Sequence, residues 1–474
     1  MNNKQEVPTS TDVLIVGAGP TGMTLAVSLR QLGLDCVVID QLPEPPNDAR
    51  AAFVQPRTLE YLRRIHVAGP LVDDGIKGRG VAFADRDRDL IRLSYDTVDS
   101  PYPFLLMIPQ SQTQRHLDER FRKLGGSVLR GVRLLDLAPE FPGSAATVVN
   151  SNGELRIINA RFVAGCDGLH SRVRDQLGIG FPGTSPAQMF AVADVKFEDW
   201  PSDRIENAFS LSPHGMLISS PMPNHMVRMV ASVAPGTPVP TQHDIDELIQ
   251  TRAPEWLRNG KVKELLSSST WHVHERVATQ FRHGNTFLLG DAAHTHSPAG
   301  GQGMNTGIQD AGNLAWKLHH VLSLGAPESL LDSYEAERRP NALQLVQFTH
   351  QIVTAATLTG QQEQQMRDDI LVAVGSVPGV TEALARRFSQ IAIGYGHSDE
   401  PFAPGTRVNP DTINADDLTW SLLTPDAAPP DFPAAFKVTV SNDVSQPIAV
   451  RPDGIVASAE EINELFGALL WLHV

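Results

Sequence analysis

The sequence predicts an α/β fold in which a parallel-stranded unit is interrupted by an inserted, mostly antiparallel sheet and is followed by a small C-terminal appendage. Three observations carry this. DVLIV at 12–16, a Gly-rich turn, a helical pattern to about Leu32 and CVVID at 36–40 make one βαβ unit, with apolar runs suited to a sheet covered on both faces. Between about 180 and 275 the pattern changes to short alternating segments such as MFAVADVKF and HMVRMVASV, separated by Pro and Gly. TFLLG at 286–290 then restores a buried strand.

The other elements follow in order. Leu25, Ala26, Leu29 and Leu32 share one face of the first helix, and Gly33 is its stop. PEPPND at 43–48 is a loop, RTLEYLRRI at 57–65 a helix, and QTQRHLDERFRKLGG at 112–126 a second helix ending in glycines. RFVAGCDG at 161–168 is a strand with a sharp turn. Met304, Ile308, Ala311, Ala315, Leu318 and Leu322 step by four and three, the stripe of a long amphipathic helix. Further helices fill 328–395, and after Pro401 come two strand-like runs, FKVTV and PIAVRPDG.

Bulk properties exclude several function classes. The chain of 474 residues favours two or three structural units and holds ample apolar material for a core without disulfide or metal staples. A formal net charge of -15 argues against a nucleic-acid partner. The two cysteines, Cys36 and Cys166, fall in strand-like runs and read as buried thiols suited to a reducing compartment. The first residues, MNNKQEVPTSTD, are polar, and no run approaches a membrane span, so a cytoplasmic protein without membrane contact is expected.

Three motifs carry chemistry. Gly17-Ala18-Gly19-Pro20-Thr21-Gly22 fits G-x-G-x-x-G between a strand and a helix. One glycine makes the turn, one admits a pyrophosphate and one lets helix and strand pack, while the helix N-terminus offers free N–H groups. Asp40 ends the next strand, where a carboxylate accepts bonds from a ribose. The second motif runs from Gly290-Asp291 to Ser297-Pro298-Ala299-Gly300-Gly301-Gln302-Gly303-Met304-Asn305, a strand end, a tight loop and a helix start. Its acid suits a sugar or ribityl hydroxyl, and its helix N-terminus suits an anionic edge. The third is Cys166-Asp167-Gly168-Leu169-His170-Ser171-Arg172-Val173-Arg174, again at a strand-to-helix transition.

GAGPTG, CDGLHSRVR and GDAAHTHSPAGGQGMN, with YEAERRP at 334–340, resemble in order and spacing the motifs of the para-hydroxybenzoate hydroxylase group, the class A flavoprotein monooxygenases. The likeness covers about 10–345 and is nearest to the branch with phenol-, hydroxyphenylpropionate- and polyketide-aromatic hydroxylases. It implies a Rossmann-like FAD-binding domain in two parts, 1–178 and 276–398, a substrate-binding sheet domain at 179–275, and a truncated thioredoxin-like domain at 399–474. PGTRVNP at 404–410 and AVRPDGIVA at 449–457 are the matching pieces of this last domain. It lacks cysteine and so cannot do disulfide chemistry, which leaves a packing or oligomerisation role.

The resemblance also implies residue roles. Gly17, Gly19 and Gly22, with Pro20 and Thr21, lie along the pyrophosphate, and Asp40 holds the adenosine ribose. Arg50, with Arg57 as its rival, reaches the pyrophosphate; Gln110 contacts the flavin side; and Asp167 belongs to a motif for both FAD and NADPH. Asp291 binds the ribityl chain, while Pro298, Gly303, Met304 and Asn305 lie along the isoalloxazine. The implied cofactors are non-covalent FAD, NADPH or NADH as transient co-substrate, and O2, with oxygen carried to an electron-rich ring by a flavin C4a-hydroperoxide. A single nucleotide fingerprint suits this group and not the two-dinucleotide reductases.

The inserted sheet is expected to roof a pocket for a small phenolic or polycyclic aromatic substrate, polyketides included. His214, Met216, Met222, His225 and Arg228 are candidates to point into it, with His214, His225 and Arg228 the catalytic ones. His272 and His274 share a strand face, but no cysteine or acidic cluster completes a metal site, and none is expected. His294 and His296 flank the flavin loop as structural residues. A monomer or homodimer fits. Alternative readings are a Baeyer–Villiger-type or dearomatising oxygenase on the same scaffold, and a flavin-binding protein without turnover.

Overall fold

The computed structural model describes residues 6–45, 51–85, 88–140, 142–198, 206–396, 400–425 and 436–466. Its organising element is a sheet whose parallel strands run in the order Thr286–Leu288, Leu155–Gly165, Ser10–Val16, Cys36–Asp40 and Val128–Arg130. The central strand reads STDVLIV, and Val13, Leu14 and Ile15 are wholly buried, as apolar residues of a parallel strand covered on both faces should be. Gly143–Val149 and Arg133–Glu140 extend Leu155–Gly165 as an antiparallel flap.

Register decides where function can sit. Val16 pairs with Gly165 on one side and Ile39 on the other, and Gly165 pairs with Leu288. The turns that follow Val16, Gly165 and Leu288 therefore leave one edge of the sheet side by side. They are the three glycine-bearing motifs, which begin at Gly17, Cys166 and Gly290 and so lie well over a hundred residues apart in sequence. Ligands of open parallel sheets bind outside the carboxyl ends of the strands, which is this edge.

The helix Pro20–Gln31 starts directly after the first turn, with proline in its first turn where no N–H is needed. It packs against the long helix Gly303–Ser323, whose stripe of Ile308, Ala311, Ala315 and Leu318 is fully buried. Pro56–Arg64 and Gln110–Lys123 are the helices expected at 57–65 and 112–126.

The second sheet runs Val262–His272, Met189–Phe197, Met226–Val233, Gly215–Met222, Asn207–Ser212, Gly80–Ala84, Asp89–Ser94. All neighbours are antiparallel except Asn207–Ser212 with Gly80–Ala84. Two of its strands thus come from residues 80–94, within the 1–178 expected as the first part of the FAD-binding domain. GVAFA pairs there because its apolar face joins Phe209 and Phe388 over the same core; the Phe83 and Phe209 rings stack at 4.8 Å.

The appendage holds a three-stranded sheet in which Trp420–Thr424 lies between Phe436–Val440, parallel, and Ile448–Val450, antiparallel. The central strand was not expected from sequence. Its residues are buried throughout, so no alternation marks it. AVRPDGIVA and PGTRVNP supply the arginines that fasten the appendage. Arg451 pairs with Glu337 at 2.7 Å and with Asp453, and Arg407 Nε donates to Glu60 at 2.9 Å. Among the described residues no helix is long and apolar enough to cross a membrane.

Candidate active site

A cavity of about 440 Å³ opens where the parallel-strand edge meets the second sheet. Gly19, Pro20 and Thr21 from the first motif, Cys166 and Gly168 from the third, and Asp291, Pro298, Gly303 and Met304 from the second line one side. Ile218, Ser220, Arg228, Val230 and Trp271 from the second sheet line the other. Gln110 also lies on the wall, accepting from the Ala51 N–H at 3.2 Å.

The first turn divides labour among its glycines. Gly17 has φ +104, and a Cβ there would stand 2.3 Å from the Cys166 carbonyl oxygen. A Cβ on Gly22 would stand 2.0 Å from the Gly17 carbonyl oxygen. Both glycines close the packing between turn, helix and neighbouring strand. Gly19 instead faces open space, with nothing within 4 Å of its would-be Cβ. This is the bare approach that a pyrophosphate at a helix N-terminus needs, so the turn fits a dinucleotide. Asp40, at the end of the adjacent strand, accepts from Ala18 N–H and Leu42 N–H, both at 2.8 Å, and Arg130 lies 3.5 Å away.

The Asp291 loop is held from behind. Asp310, wholly buried in the long helix, accepts from Gly290 N–H at 3.0 Å, faces His294 Nε2 at 2.8 Å and pairs with the equally buried Arg338 at 2.7 Å. Burial alone would raise the Asp310 carboxyl, but Arg338 and His294 outweigh it and hold the group down at about 2. The ionised network fixes the loop so that Asp291 stands at the cavity. Neither Asp310 nor Arg338 was singled out from sequence, although an acid inside an apolar stripe and the RR of YEAERRP were the available signals.

Several expected residues stand elsewhere. His214 and His225 do not point into the pocket: both are exposed at hairpin turns of the second sheet, and His225 adopts φ 58. His214 falls between strands Asn207–Ser212 and Gly215–Met222, and His225, the first residue of the expected segment HMVRMVASV, falls just before strand Met226–Val233. Arg228 does line the cavity, yet its guanidinium is a positioning group. It makes two 2.7 Å bonds to Asp194 and donates to the Ala51 carbonyl at 2.8 Å. Met216 and Met222 are core residues at 0% and 1% exposure and do not reach the cavity.

Asp167 is also turned away. Its carboxylate accepts from Ser171 Oγ and Arg172 N–H at 2.6 Å and from Val173 N–H at 3.1 Å, so it holds the turn that presents Cys166 and Gly168. Asn305 lies fully buried behind the wall, donating to the Phe53 and Gly301 carbonyls and accepting from Gln55 N–H. Arg57, the rival to Arg50, is consumed by Glu60 and the Asp453 carbonyl. Arg50 lies outside the described residues. Gln114, missed in the sequence, lines the cavity and donates to the Ala18 carbonyl at 2.9 Å. His272 and His274 border the cavity, His274 Nδ1 lying 2.8 Å from Ser185 Oγ. Among the described residues no trio of His, Cys, Asp or Glu converges as a metal site.

A glycine-turn dinucleotide site roofed by an inserted sheet, with a single fingerprint, defines the class A flavin monooxygenases. The chain belongs to the FAD binding domain family, whose profile matches residues 10–349. Pentachlorophenol 4-monooxygenase of Sphingobium chlorophenolicum is 32% identical over 341 residues, covering 71% of this chain and 63% of that protein. The 12-dehydrotetracycline 5-monooxygenase/anhydrotetracycline 6-monooxygenase of Streptomyces rimosus is 31% identical, covering 92% and 86%. The solved structure of the OxyS anhydrotetracycline hydroxylase from Streptomyces rimosus superposes with a TM-score of 0.80 at 27% identity, over 97% of this chain and 99% of that one.

Proposed function

We propose that this protein is an FAD-dependent monooxygenase that uses NAD(P)H and O2 to hydroxylate a phenolic or polycyclic aromatic substrate, polyketide-sized rings included. The observation that carries the reading is the shared cavity. One wall is built of the three strand-end turns, and the other of second-sheet side chains among which Ile218, Val230 and Trp271 are apolar or aromatic. Its volume of about 440 Å³ lies within the range of small-molecule sites. Similarity to monooxygenases of pentachlorophenol and of 12-dehydrotetracycline and anhydrotetracycline supports the substrate class.

Bound FAD would supply the redox chemistry: two electrons from NAD(P)H reduce O2, one oxygen atom enters the ring and the other leaves as water. The protein's own groups do the rest. Gly19 and the start of helix Pro20–Gln31 receive the pyrophosphate, Asp291 the ribityl hydroxyls and Asp40 the adenosine ribose. Gly303 and Met304, at the N-terminus of the long helix, lie along the ring system, where the helix dipole favours negative charge. Ile218, Val230 and Trp271 exclude water from the substrate side and hold a flat apolar ring. Arg228, locked to Asp194, anchors Ala51 on the cavity wall.

The purified chain is expected to be yellow with FAD released on denaturation, and to oxidise NAD(P)H slowly until an aromatic phenol is added. A colourless protein that takes up no FAD overturns the cofactor assignment. NAD(P)H oxidation indifferent to every phenol and polycyclic quinone in a panel overturns the substrate assignment.

A further inference from the structure

His296 lies between the short strand His294–Thr295 and the long helix, on the wall of the cavity. Its Nδ1 is 2.7 Å from the Ser297 carbonyl oxygen. A carbonyl only accepts, so Nδ1 carries the ring hydrogen and Nε2 of the neutral ring is a bare acceptor. That Nε2 is shielded from solvent and has no hydrogen-bond partner. It stands 3.1 Å from the position a Cβ on Gly303 would take, so the glycine keeps the space beside it open. Burial, with the charge of nearby His294 adding to it, drives the ring down to about 4 against the pull of the Ser297 carbonyl, so the ring is neutral at neutral pH.

Of the neighbouring histidines, His294 and His274 each already bond a side chain through one ring nitrogen. His294 Nε2 faces Asp310, and His274 Nδ1 faces Ser185. Thr295, next in the chain to His296, also lines the cavity with its Oγ1 buried and unpartnered. Two orphaned polar groups on the cavity wall carry a cost that a ligand bearing a hydroxyl relieves.

We propose that His296 Nε2 accepts the hydrogen bond of the substrate's phenolic hydroxyl, selecting hydroxylated rings over their ethers and fixing which ring carbon faces the flavin. This rests on the reading of the cavity as a phenol site. A neutral acceptor draws the O–H proton toward nitrogen while the bonding electrons remain on oxygen, which enriches the ring at the positions ortho and para to it. An ether offers no proton and leaves the buried lone pair unmet, and sites built to bind a hydroxyl reject analogues lacking it.

The test compares 2-naphthol with 2-methoxynaphthalene on the FAD-loaded full chain, with Kd read from the change in flavin absorbance. The parent is expected to favour the naphthol on the order of tenfold or more. His296→Leu should abolish that preference by weakening naphthol and leaving the ether unchanged, and His296→Gln, whose amide oxygen can accept, should restore part of it. A preference that survives in His296→Leu, or that the parent never shows, overturns the proposal. So does a His296→Leu protein that loses FAD affinity with its phenol preference intact, which places Nε2 on a flavin N–H. Should His296→Leu not fold, His296→Asn and His296→Gln carry the same ratio measurement, since only Gln has the reach to accept. A parent stimulated by other phenols but blind to the naphthol–ether difference sinks the His296 assignment alone. One blind to every phenol sinks the phenol-site reading.

Discussion

His320 Nε2 accepts the indole N–H of Trp420 at 3.0 Å, while Nδ1 of the same ring is 3.0 Å from the Trp316 carbonyl. The Trp316 and Trp420 rings meet edge to face at 5.6 Å. Through this contact the central strand of the appendage is bonded to the helix whose N-terminus lies at the cavity. The arrangement needs a neutral imidazole, because a protonated Nε2 could not accept.

Acid should therefore loosen the molecule. Burial lowers His320 to about 4, and His296 likewise, from an ordinary value of 6.5. Between those values the unfolded chain binds protons that the folded chain refuses, so stability falls as the pH falls from 6.5 to about 4. The loss is on the order of 3 kcal/mol per ring at most. Urea unfolding at pH 7.5 and 5.0 should show it, with a shallower dependence in His320→Gln. An unchanged acid slope in that variant would refute the assignment.

The glycines of the first turn should respond in opposite ways. Gly17→Ala forces a Cβ into the Cys166 carbonyl from a positive φ and should lower thermal stability by several kcal/mol or prevent folding. Gly19→Ala meets no protein atom and should leave the FAD-free protein as stable as the parent while weakening FAD binding. Calorimetry with and without FAD separates the two effects, and a Gly19→Ala protein with parental FAD affinity would remove the pyrophosphate from this turn.

Asp310 and Asp291 make a second contrasting pair. Asp310→Asn leaves the buried Arg338 guanidinium without its anion and should destabilise the fold by about 3–5 kcal/mol. Asp291, exposed at the cavity, should matter for the ligand: Asp291→Ala is expected to weaken FAD retention about tenfold. FAD retention through gel filtration checks the second, and parental retention would disprove the ribityl contact.

Legibility followed range. The βαβ unit, the long helix and the change to alternating strands were readable because hydrophobic period is a local property. Gly17 and Gly22 were readable because backbone contacts closer than a Cβ allows leave only glycine in sequence. Strand Trp420–Thr424 escaped because a strand buried on both faces has no alternation to show. The place of Gly80–Ala84 and Asp89–Ser94 in the second sheet is not written in local pattern, since Gly80–Ala84 joins it by pairing with Asn207–Ser212, over a hundred residues away. His214 and His225 were assigned to the pocket because a hairpin connection and the strand beside it differ by only a residue or two.

The sequence by itself determined the family, the three turns and the kind of ligand they can hold, because glycine at a strand end and an acid beside it write their chemistry into local pattern. Only the tertiary structure decided which side chains face that ligand. Asp167, Asn305 and Arg57 have the right chemistry, but their polar atoms are taken up inside the protein. His296 was set aside as structural, and yet it keeps an unpaired nitrogen on the cavity wall. A hydrogen bond is satisfied by whatever the fold brings within about 3 Å, and residue type and spacing do not record that distance.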